Sequence, residues 1–116
     1  MNLEIIRNYC LSKLHSEESF PFDEVTLVFK VGGKIFALID IENPSGLNVK
    51  CSPDLAIELR ERYQGIIPGF HMNKKHWNTI KLSSDVPDHI IYESIDNSYK
   101  LVFNSLSKRK INEITN

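Results

Sequence analysis

The 116-residue chain has only two cysteines and one tryptophan, and no apolar run near the roughly 20 residues needed to cross a bilayer. Cys10 and Cys51 are too few for a disulfide framework and sit among apolar neighbours, which predicts two reduced, buried thiols. The N-terminal Met1, Asn2, Leu3 and Glu4 lack the basic and then apolar regions of a signal peptide, so a cytoplasmic protein with no membrane partner is expected. Catalytic signatures are also missing. There is no CxxC, HExxH or Gly-x-Ser-x-Gly pattern and no glycine-rich phosphate loop, so neither an enzyme, nor a resident cofactor, nor a metal centre is expected. A further absence is local. Residues 62–84 contain no carboxylate but four cations, Arg62, Lys74, Lys75 and Lys81, whereas the remaining residues carry ten Lys or Arg against fifteen Asp or Glu.

The residues that are present describe a folded domain. Hydrophobic residues make up 41% and charged residues 25%, close to the globular average, which excludes disorder and a coiled coil. Leu3, Ile6, Cys10 and Leu14 keep helical spacing behind a possible Asn2 N-cap and predict a helix over residues 3–15. The charged stretch at 16–23 reads as a loop pinned by Phe20 and Phe22 around Pro21. Residues 25–31 and 34–41 are rich in β-branched and aromatic side chains and are separated by Gly32 and Gly33, the mark of a tight hairpin. A third strand is expected at 47–51 and a second helix at 53–64, with Pro53 at its first position and Gly65 closing it. Residues 66–69 read as a loop, 76–82 as a strand with a short one possible at 69–72, and 83–106 as a helix start followed by a long helix. The predicted fold is a two-layer α+β domain over residues 1–107, an antiparallel sheet with helices packed on it in the order α-β-β-β-α-β(β)-α. Lys108, Arg109 and Lys110 open a basic, frayed tail over 108–116, and a monomer is expected.

The acid-free window contains the candidate site. Cations neutralise phosphates and aromatic faces stack on bases, and Lys74, Lys75, Trp77, Lys81, Asn73 and Asn78 supply both kinds of group. The bland alternatives are a solvated lysine corner and a core tryptophan, and a sequence pI near 6.4 is low for a dedicated nucleic-acid domain. A protein-interaction or small-ligand module using the same turn is the other class the residues allow.

The blocks Phe20-Pro21-Phe22, Phe29 to Ala37, Leu47 to Cys51, Pro68 to Thr79 and Ser98 to Val102 together resemble the MmcQ/YjbR family, in order and over nearly the whole chain. The run His71-Met72-Asn73-Lys74-Lys75-His76-Trp77-Asn78-Thr79 is its most specific part. The resemblance implies a CyaY-like, or secretion-chaperone-like, α+β fold and DNA binding through a "double wing" arrangement. Mapped onto this chain, it implies a nucleic-acid site of His71, Asn73, Lys74, Lys75, His76, Trp77 and Asn78, with Lys34 and Lys50 nearby. The acidic stretches at 16–18 and 23–24 confine any such contact to a local patch. A CyaY-like fold also suggests the iron role of frataxin-type proteins, but that chemistry uses a carboxylate-rich first helix, and residues 3–15 contain only Glu4.

Overall fold

A computed structural model describes residues 1–70 and 72–116. The elements run α1 (Leu3–Leu11), β1 (Ser16–Ser19), β2 (Thr26–Val31), β3 (Lys34–Asp40), β4 (Gly46–Lys50), α2 (Pro53–Arg62), β5 (Ile66–Pro68), β6 (Trp77–Lys81), α3 (Asp88–Asn104) and α4 (Lys108–Thr115). The six strands form one antiparallel sheet in the order β1-β2-β3-β4-β6-β5. The α+β class with helices on an antiparallel sheet is as the sequence predicts.

Local chemistry explains most boundaries. Asn2 Oδ1 accepts from the Ile5 amide at 2.9 Å and caps α1. The helix stops at Leu11, short of the expected His15, with Ser12 as its C-cap; His15 then turns left-handed (φ 62°) and the chain returns along β2 as β1. Gly32 and Gly33 adopt φ 58° and 81°, the positive values the β2–β3 hairpin needs. Gly65 does not close α2, which ends at Arg62. Its amide instead donates to Asp85 Oδ1 at 2.7 Å, and an added Cβ would lie 2.0 Å from Ser84 Oγ. The short strand preceding β6 is Ile66–Pro68, where a loop was expected; of the possible strand at 69–72, residues 69, 70 and 72 are not strand and residue 71 lies outside the described residues.

The tail expected to fray is helical. Ser107 Oγ accepts from the Lys110 amide at 3.1 Å, and Ile111 and Ile114 pack against the core. The Leu106 and Lys110 side chains crowd the hairpin so closely that a Cβ on Gly32 would sit 2.6 Å from a Leu106 methyl.

Strand alternation divides the sheet into two faces. Leu27, Ile39, Leu47 and Ile80 form one row, and Phe29, Ala37, Val49 and Asn78 the next, all under the helices with Ile6, Ile91, Ile95 and Val102. Each fully buried Val, Leu, Ile or Phe side chain among them contributes about 1.5–3 kcal/mol. On the other face Val28, Leu38, Asn48, Thr79 and Ile67 lie in register across five strands. No helix among the described residues covers that row. Val28 and Leu38 are nevertheless buried, and Leu38 shares a hollow with Phe22, Asp23, Phe70 and Met72.

Candidate nucleic-acid interface

The 69–76 turn that carries the predicted site is held largely by its own polar groups. Asn73 Oδ1 accepts from the Lys75 and His76 amides at 2.9 and 3.2 Å, and its carbonyl accepts from the Trp77 amide at 3.0 Å. Lys74 Nζ donates to the Gly69 carbonyl at 3.1 Å, and Arg60 on α2 donates to the Lys74 carbonyl at 2.9 Å. The His76 carbonyl accepts from the Cys51 amide at 2.8 Å, tying the turn to the end of β4. Gly69 is required by close approach, since a Cβ there would lie 2.8 Å from the Trp77 Cβ.

These bonds redistribute the predicted residues. Asn73 and Lys74 have structural partners inside the turn, and Lys75 projects from it exposed. His76 and Trp77 are half-buried, and Trp77 is the direct cross-strand partner of Lys50. His71 lies outside the described residues. Two assignments are corrected. Asn78 is 1% exposed on the helix-facing side, where its Nδ2 donates to the Ala56 carbonyl at 3.3 Å, so it cannot meet a nucleic acid. Lys34 points across the helix layer to the end of α3, its Nζ 3.3 Å from Ser105 Oγ, on the opposite face from Lys50. Both displacements follow from strand alternation: Asn78 shares a face with Ile80, and Lys50 alternates with the core residue Val49.

Register adds Lys30, which the sequence reading left out of the site, and sets Lys81 of the acid-free window on the same face. Lys30 lies between the core residues Phe29 and Val31, and Lys81 follows Ile80, so both reach the open face. The period-two pattern of the strands was the signal for each. The ion pairs among the described residues are Arg7–Glu18, Lys13–Asp96, Arg62–Glu58, Arg109–Glu113 and Lys110–Glu113. Lys30, Lys50, Lys75 and Lys81 take part in none of them.

The open face also holds a groove of about 430 Å³ between the 20–25 loop and the turn. Phe22 and Phe70, 67% and 65% exposed, stand on its rim, with Leu38, Ile35 and Asn48 among its lining residues. Thr79 organises the adjoining strands: its Oγ1 donates to Asn48 Oδ1 at 2.5 Å and accepts from the Phe70 amide at 3.0 Å.

Both cysteines are free and buried. Burial pushes the Cys10 thiol up to about 12 and raises that of Cys51 as well, so both stay protonated at neutral pH. Among the described residues no group of three or more His, Cys, Asp or Glu side chains converges as a metal-ligand set. No described helix is long and apolar enough to cross a membrane.

Comparison with known proteins agrees along the length of the chain. The Escherichia coli K12 protein YjbR, described as uncharacterized, is 34% identical over 111 residues, covering 95% of this chain and 94% of that protein. YbdF of Escherichia coli O157:H7, also described as uncharacterized, is 35% identical over 94 residues, covering 80% and 77%. The crystal structure of the Deinococcus radiodurans protein DR2400, a DUF419 domain, superposes with a TM-score of 0.89 at 41% identity, covering 96% of this chain and 86% of that one. A Pseudomonas syringae protein superposes at 0.74 with 27% identity, covering 88% and 99%. The YjbR family model matches residues 11–101, a span from the end of α1 through most of α3 that includes the whole sheet and the 69–76 turn, and the chain therefore belongs to the YjbR family.

Proposed function

We propose that the chain binds nucleic acid locally, through Lys30, Lys50 and Lys75 around the half-buried Trp77. The observation that supports this most is the contrast in ion pairing: Arg7 and Lys13 on α1 and the loop after it are neutralised by Glu18 and Asp96, while Lys30, Lys50 and Lys75 form no ion pair among the described residues, although Glu17 on β1 stands opposite Lys30. Unpaired cations beside an aromatic are the groups a phosphate backbone requires. Lys30 and Lys50 lie at the same end of the sheet on strands two apart, roughly 10 Å from one another. Such a patch covers a few phosphates and predicts weak, salt-sensitive affinity.

Trp77 is the single tryptophan, so its fluorescence reports the titration directly. Oligonucleotide affinity should fall steeply with salt, and Lys50→Ala with Lys75→Ala should reduce the log–log salt slope on duplex DNA by about 2. Salt-independent binding, or a slope unchanged in the double variant, would reject the reading. A second reading, a non-enzymatic ligand- or protein-binding module on the same turn, is favoured by the groove between Phe22 and Phe70, whose lining contains two carboxylates and no cation.

A further inference from the structure

The groove differs chemically from the lysine patch beside it. Asp23 and Asp40 both line it, and the register brings them together: Asp40 is the cross-strand partner of Thr26, whose amide and hydroxyl both donate to Asp23. Asp23 Oδ1 accepts from the Val25 and Thr26 amides at 2.9 and 2.6 Å, and these bonds hold its carboxyl below the usual carboxylate range. Asp40 Oδ1 accepts from the Glu42 and Asn43 amides at 2.8 and 3.1 Å, leaving Oδ2 with no bond to another described residue. Neither carboxylate is ion-paired with another described residue. Two carboxylates fixed by turn amides, beside two exposed phenylalanine rings, form a site for a planar cation.

We infer that this groove takes an arginine side chain presented by a partner protein. A guanidinium is weakly hydrated, lies flat on an aromatic face and donates in a fork that fits a carboxylate. A phosphate would be repelled by Asp23 and Asp40, so the groove is distinct in chemistry from the nucleic-acid patch. The occupant is a chain and not a free amino acid because a second hollow of about 410 Å³ adjoins the first and shares Asp40, Asn48 and Phe70 with it. The two together extend beyond the reach of one side chain. This inference rests on the ligand-binding reading of the groove and is independent of the nucleic-acid reading.

The test is a peptide titration followed by backbone amide shifts in the full chain, using a glycine-serine peptide with one central arginine, its citrulline analogue, and neutral and acidic versions carrying glutamine or glutamate. Supporting the inference, the arginine peptide shifts amides of residues 22–26, 38–40 and 48, citrulline weakens it by about tenfold or more, and Asp40→Asn does the same. Asn keeps the turn-capping oxygen, so this variant preserves the fold while removing the charge. Phe22→Ala, at an exposed position, also weakens binding, whereas Lys50→Ala with Lys75→Ala leaves it unchanged. Equal binding of arginine and citrulline peptides, or an affinity insensitive to Asp40→Asn, overturns it. Groove shifts with the neutral or acidic peptide alone would overturn arginine as the ligand while sustaining a ligand-binding groove, and no groove shifts with any peptide would remove both.

Discussion

The Ser98 hydroxyl lies 2.5 Å from the Phe36 carbonyl oxygen and donates to it, linking the middle of α3 to β3 inside the core. Ser98 Oγ in turn accepts from the Lys50 amide at 2.8 Å. The β3–β4 pairing covers Ala37 to Ile39, and a register shift beside Phe29 and Lys30 distorts β3 just before it. Ser98 therefore bridges the two strands where their own pairing has ended. It fixes the end of β4 that presents Lys50 next to Trp77.

Ser98→Ala should lower unfolding free energy by about 1–3 kcal/mol, because it strands a buried carbonyl and removes the partner of the Lys50 amide without offering a substitute. Urea denaturation followed by Trp77 fluorescence measures it. A change within a few tenths of a kcal/mol would mean that the strands close over the gap unaided.

Asn73→Ala should cost about 1 kcal/mol by removing the acceptor shared by the Lys75 and His76 amides, while Asn73→Asp retains that acceptor and most of the stability. The comparison uses paired denaturation curves. Equal loss in both variants would show that the amide nitrogen, not Oδ1, organises the turn.

Lys34→Ala and Asn78→Ala should leave the oligonucleotide affinity of the folded protein unchanged, since one side chain faces the end of α3 and the other lies under α2. Asn78→Ala should still destabilise the fold, because the Ala56 carbonyl loses its side-chain donor. A salt slope lowered by Lys34→Ala would place the contact on the hairpin and displace the patch around Trp77.

Acid should weaken the fold through Asp85. Hydrogen bonds from the Gly65 and Gln64 amides hold its carboxyl below the usual range. A group depressed in the folded state contributes stability above its unfolded value, near 3.9, and loses that contribution as pH falls through the folded value. Asp85→Asn should therefore be less stable than the parent at pH 7, with the difference shrinking below about pH 4. Chemical denaturation across that range measures it, and a difference constant with pH would contradict the assignment.

The elements legible in the sequence are those whose pattern reports burial. Ile6 and Cys10 mark α1, Ile91 and Ile95 mark α3, and Gly32 with Gly33 marks the hairpin between two apolar strands. β1 was not legible because Ser16-Glu17-Glu18-Ser19 has no apolar member, and it is a strand only because β2 offers it a ladder. α4 was missed because two isoleucines among polar residues suggest no core, whereas Leu106 and the hairpin provide one from a distance. In the site, alternation already placed Asn78 beside Ile80, so its burial could have been read before any contact role was assigned. The groove could not. Phe22, Asp23, Asp40 and Phe70 come from separate parts of the chain, and only the register brings them together.

The two ends of the strand order limit how the protein can be approached. β5 has three residues and finishes on Pro68, which carries no amide hydrogen, while β1 has four and places Glu17 and Glu18 along its length. Short length, proline and charge at these rims all disfavour main-chain pairing with an incoming polypeptide, the route to donor-strand exchange and to fibril growth. The two proposed sites accordingly rest on side chains of the broad side of the sheet, so selectivity at either would be encoded in what is laid across that surface.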